Sequence, residues 1–288
     1  MTPLCLRSAV PADQNPSPAP EAICRGYRGV GEPAPPGAPA RATRSLGPLP
    51  DAATARAATA ATRVNELIRA YAGTDEVLRP WMVDAHLERL HLACADLGWR
   101  RDFRSDAAEM IGRLVDRHIP AEDACIDVTV ELAPHPAGTR EPTVSLTAAI
   151  APRSRTRWLA TGAGIDLSAG IGDGPVRLAS SGVVAESELT VLVISDGRVI
   201  CPPAADPERP PVMRSWVLSA VAELGLDLSV GQPLPAQLGA AQEVMVCGTE
   251  LEFAPVRSVD GAVLSDWPAC PVSTLIVDRF FRQARARR

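Results

Sequence analysis

The chain has 288 residues, a net charge of −5 and a hydrophobic fraction of 46%. It is long enough for one large core or two of ordinary size, and its acidic balance argues against nucleic acid or an anionic membrane surface as a partner. No apolar run approaches the roughly 20 residues that a membrane helix needs, so no membrane span is predicted.

Residues 1–50 contain eleven prolines, between Pro3 and Pro50, with many alanines and glycines. Neither the period of a strand nor that of a helix appears among them. Such a composition cannot bury enough apolar surface to offset the entropy of ordering the chain. We therefore predict that residues 1–50 form a disordered Pro/Ala-rich segment.

Seven cysteines are scattered along the chain, without a CxxC pair or a Cys/His cluster at metal-binding spacing. An odd, scattered set indicates reduced thiols rather than a disulfide framework. The sequence therefore predicts a cytoplasmic protein without a metal site.

Residues 51–150 alternate between strand and helix patterns. The predicted elements are a strand at Arg63–Tyr71, a helix at Met82–Leu97, a second helix from Ser105, and paired strands at Cys125–Leu132 and Thr143–Ile150. The first helix has an apolar stripe at steps of three and four residues, whereas the paired strands alternate with a period of two. This mixture predicts an N-terminal α+β domain.

A second α+β domain is predicted over 160–288, after an interdomain linker at 151–159. Its strands turn at Asp196-Gly197, a typical hairpin pair. Helices are predicted at Met213–Leu224 and Val272–Arg285, and a short helix or a turn is predicted at Leu234–Ala240.

The stretch from Val176 to Gly261 resembles the C-terminal half of the class IV aminotransferases. The shared features are two short strands, a hairpin, a helix, and a strand that breaks at Cys247-Gly248-Thr249. The family includes branched-chain and D-amino-acid aminotransferases and aminodeoxychorismate lyase. The resemblance implies fold type IV, with two mixed α/β domains, a homodimer and a ligand between the domains.

Two segments upstream fit the same family. Asn65-Glu66-Leu67-Ile68-Arg69-Ala70-Tyr71 resembles its aromatic-Glu-x-x-Arg-x-Tyr strand, although Asn65 replaces the aromatic residue. His86-Leu87-Glu88-Arg89-Leu90 resembles its His-x-x-Arg-Leu helix. The resemblance implies that Arg89 binds the phosphate of pyridoxal phosphate (PLP), for which a planar guanidinium is suited.

The resemblance assigns further cofactor contacts in the C-terminal half. Glu186 would meet the pyridine nitrogen of PLP, and the Thr249 hydroxyl would bind its phosphate. The backbone N–H groups of Val212 and Met213, at a helix start, could also face an anion.

Two departures from the family concern its chemistry. The sequence contains no lysine, so the Schiff-base residue is missing. Arg153 stands at the family's lysine position, with Arg155 and Arg157 as neighbouring candidates. A guanidinium stays protonated and cannot form the aldimine. In addition, Pro211-Val212-Met213 replaces the family's Gly-Ile-Thr.

These residues predict a class IV aminotransferase-like protein that has lost covalent PLP chemistry. It would act as a PLP-independent lyase or isomerase, with Arg153 and Glu186 as candidate catalytic residues, or as a non-catalytic protein that binds a small phosphate or carboxylate. The alternatives are a genuine PLP-dependent aminotransferase or aminodeoxychorismate lyase, and a degenerate structural subunit. Transaminase activity is not expected without a lysine.

Overall fold

The structure, a computed structural model, describes residues 40–48, 62–99, 101–118, 123–133, 143–152, 164–165, 177–178, 184–185, 189–249 and 252–286. The candidate residues Arg153 and Glu186 lie outside the described residues. The structure therefore tests the other candidate positions only.

An antiparallel sheet of five strands occupies the first half of the described chain. Its strands are β1 (Ala40–Pro48), β2 (Thr62–Ala72), β3 (Leu78–Pro80), β4 (Ala124–Ala133) and β5 (Thr143–Pro152). They lie in the order β1-β5-β4-β2-β3. The predicted strands on β2, β4 and β5 are confirmed. Their alternating residues form one apolar face, as in the pair Ile126 and Ile150.

Two helices cover that apolar face, α1 (Val83–Asp96) and α2 (Arg104–Arg117). Both were predicted within two residues of their observed ends. Their buried side chains join those of the sheet in one core; the helix members are Leu87, Leu90, Cys94, Ala107, Met110, Ile111 and Leu114.

Strand β1 corrects the prediction of disorder for one part of the 1–50 segment. Ala40–Pro48 form a strand that pairs antiparallel with residues 143–150 of β5. Leu46 is buried, and Ala40 and Ala42 pack against the core. A few small apolar residues are enough to form a strand here, because the edge of β5 offers backbone hydrogen-bonding partners along its length. The rest of the 1–50 segment lies outside the described residues.

The predicted linker at 151–159 is also corrected at its start, since β5 continues to Pro152. Ala151 and Pro152 pair with Cys125 and Ala124 on β4. The pairing lengthens β5 because β4 begins at Ala124, one residue before the strand predicted from its alternation.

Three two-residue strands follow, β6 (Gly164–Ile165), β7 (Arg177–Leu178) and β8 (Val184–Ala185), and β7 pairs with β8. The second large sheet is formed by β9 (Thr190–Ser195), β10 (Arg198–Cys201), β11 (Asp227–Val230), β12 (Glu243–Gly248) and β13 (Glu252–Pro255). Its order is β11-β10-β9-β12-β13. The turn from β9 to β10 has φ of +50° at Asp196 and +75° at Gly197, which confirms the predicted hairpin.

The remaining elements are α3 (Val212–Glu223), α4 (Pro235–Gly239), β14 (Ser258–Val259), β15 (Ala262–Val263) and α5 (Pro271–Ala284). β14 joins β15 and β6 in a small sheet. The two predicted helices of this half are therefore confirmed, and the segment predicted as a short helix or a turn forms the short helix α4.

Helix α5 is fixed at its first turn by Glu243, the first residue of β12. The Glu243 side chain is 1% exposed, and its two oxygens accept hydrogen bonds from the N–H groups of Val272 and Ser273, each at 2.9 Å. A carboxylate at this place satisfies orphan helix donors and complements the helix dipole.

An aromatic cluster on α5 connects the two halves of the described chain. Phe280 is fully buried, and its ring centroid lies 4.8 Å from that of Trp81 and 5.4 Å from that of Tyr71. Trp216 of α3 and Phe253 of β13 complete the cluster. β2 thus uses both faces: Ile68 and Ala70 lie in the core with α1, and Tyr71 lies in the core with α5.

Candidate functional site

The predicted anion-binding residues lie on three elements. Arg89 is on α1, Val212 and Met213 are the first two residues of α3, and Thr249 directly follows β12. The arrangement around each of them is different.

Arg89 is held by a carboxylate that sequence reasoning did not assign to it. Its Nη1 donates to Oε2 of Glu66 on β2 at 2.8 Å. The other oxygen of Glu66, Oε1, lies 2.7 Å from Nδ1 of His86. Glu66 is 6% exposed and His86 is 1% exposed, so the pair forms a rigid, buried support beneath Arg89.

The Arg89 side chain keeps hydrogen-bonding capacity beyond this ion pair. The side chain is 36% exposed, and its Nε is a buried donor without an acceptor among the described residues. A buried donor left without an acceptor costs free energy, typically about 1–3 kcal/mol. An oxyanion could bind at the exposed part of the Arg89 side chain, whereas Nε itself is closed to solvent in this structure.

Arg89 borders a cavity of about 280 Å³. The lining residues come from β2, α1 and the segment before α3; they are Val64, Asn65, Glu66, Arg89, Leu90, Ala93, Asp206 and Arg209. Val212, Met213 and Thr249 are not among the described residues that line this cavity. The structure therefore does not bring all the predicted anion ligands to one cavity.

The second guanidinium at the cavity, that of Arg209, contacts a carboxylate through each of its three nitrogens. Its Nε and Nη2 lie 2.9 and 2.8 Å from Oδ2 of Asp206, and its Nη1 lies 3.0 Å from Oδ2 of Asp96. Of the two arginines described at this cavity, Arg89 is the one with a buried guanidinium nitrogen, Nε, that has no described acceptor.

Thr249 belongs to a turn that is attached to β2 by Arg69. Arg69 is 3% exposed, and its Nε donates to the Thr249 carbonyl oxygen at 2.8 Å. Its Nη1 lies 3.9 Å from Oε1 of Glu252, the first residue of β13. Arg69 therefore contacts the chain on both sides of the turn.

Glu252 is a buried carboxyl in an unusual backbone conformation. It is 3% exposed and has φ of +63°, in the left-handed region that costs a non-glycine residue roughly 1–2 kcal/mol. The Tyr71 hydroxyl donates to its Oε1 at 2.9 Å. Burial raises the pKa of Glu252, and the charge of Arg69 opposes that shift. Burial and the charge of Glu252 also raise the pKa of the Tyr71 phenol well above its ordinary value.

A neighbouring ion pair ties the end of β2 to the end of the described chain. Asp123 accepts the N–H of Ala72 at 3.0 Å, and Arg285 donates to the other oxygen of Asp123 at 2.7 Å. Arg285 also donates to the Ala72 carbonyl oxygen at 3.2 Å. Glu66, Arg69 and Asp123 are thus buried charges on or beside β2. Each of them pairs with an opposite charge, on Arg89, Glu252 and Arg285 in that order.

The start of α3 offers backbone donors but no hydroxyl from its first two residues. Pro211 precedes the helix with φ of −54° and ψ of 136°, and the side chains of Val212 and Met213 are 5% and 2% exposed. Arg214 is also buried, and its Nη1 contacts Sγ of Cys201 at 2.8 Å. The side chains at this helix start are therefore used for packing.

Sequence reasoning missed the roles of Glu66, Arg69 and Glu252. The strand motif containing Glu66 and Arg69 was recognised, and alternation along β2 places these two side chains on opposite faces. Their partners could not be read from it, because α1 and the Thr249 turn lie far away in sequence.

Two kinds of feature are absent from the described residues. These parts of the chain contain no group of three or more His, Cys, Asp or Glu side chains placed to hold a metal ion. No helix in them is both long and apolar enough to span a membrane.

Part of the sequence is similar to the class IV aminotransferases. Residues 176–259 match the family model described as Amino-transferase class IV. Within the sequence, 88 residues are 32% identical to the branched-chain-amino-acid aminotransferases of Escherichia coli (strain K12) and Salmonella typhimurium (strain LT2). That match covers 31% of this chain and only 28% of the length of those relatives.

Solved structures share the fold over a larger part of the chain. The branched-chain aminotransferase of Thermoproteus uzoniensis with norvaline has a TM-score of 0.64 at 20% identity, over 77% of this chain and 85% of that one. The branched-chain amino acid aminotransferase of Thermobaculum terrenum in its PLP form has a TM-score of 0.66 at 17% identity, with the same coverage. Residues 176–259 are therefore similar in sequence to the class IV aminotransferases, and the fold is that of the fold type IV aminotransferases.

The residues of this chain do not fit covalently bound PLP. The sequence has no lysine for the aldimine. Of the positions expected at the phosphate, Arg89 is paired with Glu66, and Met213 replaces a threonine with a buried thioether.

Proposed function

We propose that this chain is a class IV aminotransferase-like protein that binds a small phosphate- or carboxylate-bearing molecule without forming a Schiff base. One observation carries the proposal. In a sequence without lysine, Arg89 is fixed at a cavity by Glu66 and still has a buried Nε donor without a described acceptor.

The absence of lysine argues against aldimine chemistry on physical grounds. An aldimine needs a nucleophilic amine, whereas a guanidinium stays protonated throughout the physiological pH range and is not nucleophilic. Arg153 therefore cannot take the role of the family's lysine. A second copy of the same chain could not supply the amine either.

Binding is the part of this function that the described residues support most directly. A PLP-independent lyase or isomerase reaction would also require a proton donor or acceptor beside the ligand. Glu186 is our candidate for that group. We further propose that the protein is a homodimer in the cytoplasm, and the mass in solution, measured by light scattering, tests the dimer.

The first test concerns covalent cofactor binding. Purified protein is mixed with PLP, treated with borohydride, denatured, and examined by intact-mass spectrometry. We expect no reduced adduct within the folded chain. A stoichiometric adduct at one internal position would contradict the proposal and favour the PLP-dependent alternative.

The second test concerns anion binding. Inorganic phosphate and acetate are titrated separately, and their effect on thermal unfolding is recorded for the wild type, Arg89→Ala and Arg104→Ala. Arg104, on α2, is a matched control, because its side chain is 40% exposed and pairs with Glu88 of α1, and neither residue lines the cavity beside Arg89. We expect Arg89→Ala to weaken phosphate or acetate binding by roughly 1.5–3 kcal/mol, the range for a hydrogen bond to a charged group.

The control decides between a site and a general charge effect. Arg104→Ala should retain wild-type binding. If neither anion stabilises the wild type, the anion-binding proposal is wrong, and a structural subunit becomes the better description. Equal losses in both variants would show screening of surface charge only.

A further inference from the structure

Glu66 lies between two basic side chains that the sequence motif places one helical turn apart. His86 and Arg89 are three residues apart on α1, so both reach the same strand. Each contacts a different oxygen of Glu66, His86 at 2.7 Å and Arg89 at 2.8 Å. The carboxylate therefore has one oxygen for the support and one for the ligand-binding arginine.

The two contacts differ in burial. His86 and Glu66 are almost fully buried, whereas more than a third of the Arg89 side chain is exposed. An exposed arginine has many rotamers, and ordering it at the moment of binding reduces affinity. The hydrogen bond to Glu66 on β2 orders the Arg89 side chain before the ligand binds, so part of this loss of affinity is avoided.

From this geometry we infer that Glu66, itself fixed by His86, is a positioning residue for Arg89 and sets the affinity of the site for an oxyanion. The inference rests on the proposed function. Glu66 has two opposing effects: its hydrogen bond fixes the guanidinium, and its negative charge repels an incoming anion.

Two near-isosteric variants separate these effects. Glu66→Asp keeps the charge but withdraws the carboxylate by one methylene, which breaks the contact with Arg89. Glu66→Gln removes the charge but keeps an oxygen that can accept the hydrogen bond. Both changes are small, so both variants should fold.

The measurement is the Kd of inorganic phosphate by isothermal titration calorimetry at one pH and ionic strength, with acetate as a second probe. Phosphate binding alone indicates a phosphate-bearing ligand, and binding of both indicates a general oxyanion site. We expect Glu66→Asp to raise the Kd roughly 2- to 10-fold, which corresponds to ordering one long side chain. Glu66→Gln should bind at least as tightly as the wild type.

Glu88→Asp is the matched control, because Glu88, on α1 like Arg89, pairs with Arg104 of α2 and does not line the cavity. It should leave the Kd unchanged. A structural role for Glu66 would lower the melting temperature of Glu66→Asp without changing its Kd.

The outcomes distinguish a failure of this inference from a failure of the proposed function on which it rests. If the wild type binds neither anion, the proposed function and the inference are both wrong. If the wild type binds and Glu66→Asp binds equally well, only the positioning role is wrong. A Glu66→Gln variant that binds more weakly than Glu66→Asp would also overturn it, because Glu66→Gln keeps the acceptor for Arg89 that the inference makes decisive.

Discussion

Replacing Arg69 by methionine should destabilise the protein strongly and in a pH-dependent manner. Arg69 is 3% exposed and donates to the Thr249 carbonyl oxygen at 2.8 Å. Methionine fills a similar volume but leaves this acceptor and the buried Glu252 without the guanidinium. Glu252 has the Tyr71 hydroxyl as its remaining close partner in the contacts described above.

The magnitude follows from two contributions. A lost hydrogen bond from a charged donor costs about 1.5–3 kcal/mol, and breaking a buried ion pair costs about 3–5 kcal/mol in total. The pair is a long one, at 3.9 Å, and Glu252 can take up a proton instead of remaining charged. We therefore expect a loss near the lower end, about 3 kcal/mol at pH 7.

The sign of the pH dependence follows from Glu252. Burial raises its folded-state pKa above the unfolded value. The favourable contribution of its protonated form is then complete below the unfolded pKa and is lost as the pH rises through the folded pKa. Without Arg69 the folded pKa rises further. The deficit of Arg69→Met should therefore be larger at pH 8 than at pH 5.

Urea unfolding at pH 5, 6.5 and 8 measures this for the wild type, Arg69→Met, Glu252→Gln and the double variant. Because the two residues are partners, the double variant should recover at least about 1 kcal/mol relative to the sum of the single changes. Additive losses that do not change between pH 5 and pH 8 would refute the reasoning.

Two further predictions concern the framework of the site. Glu243→Ala removes both acceptors at the start of α5 and should lower the free energy of unfolding, measured in urea, by about 2–4 kcal/mol. The control is Glu223→Ala, at an exposed ion pair with Arg279, which should lower it by less than about 1 kcal/mol. A chain that begins at Asp51 lacks β1 and the buried side chain of Leu46. Its melting temperature, measured by calorimetry, should be several degrees lower than that of a chain that begins at Pro35. Equal melting temperatures would show that β1 contributes no stability.

The sequence by itself determined most of the secondary structure and the fold family. The apolar stripe of α1, the alternation of β4 and β5, and the turn at Asp196-Gly197 are local patterns, and local backbone preferences suffice to read them. The missing lysine is also evident from the sequence alone. Strand β1 was missed because its nine residues carry only a weak pattern, and the open edge of β5 makes it a strand.

Only the tertiary structure decided what the recognised motif residues contact. Arg89 pairs with Glu66 because α1 packs on one face of β2, and Arg69 reaches Thr249 because the opposite face of β2 meets the end of β12. The partners Arg69 and Thr249 are separated by 180 positions, so no local pattern links them. Burial explains why the partners must exist: a charge taken out of water needs an opposite charge or a hydrogen bond, and which group supplies it depends on the packing of distant elements.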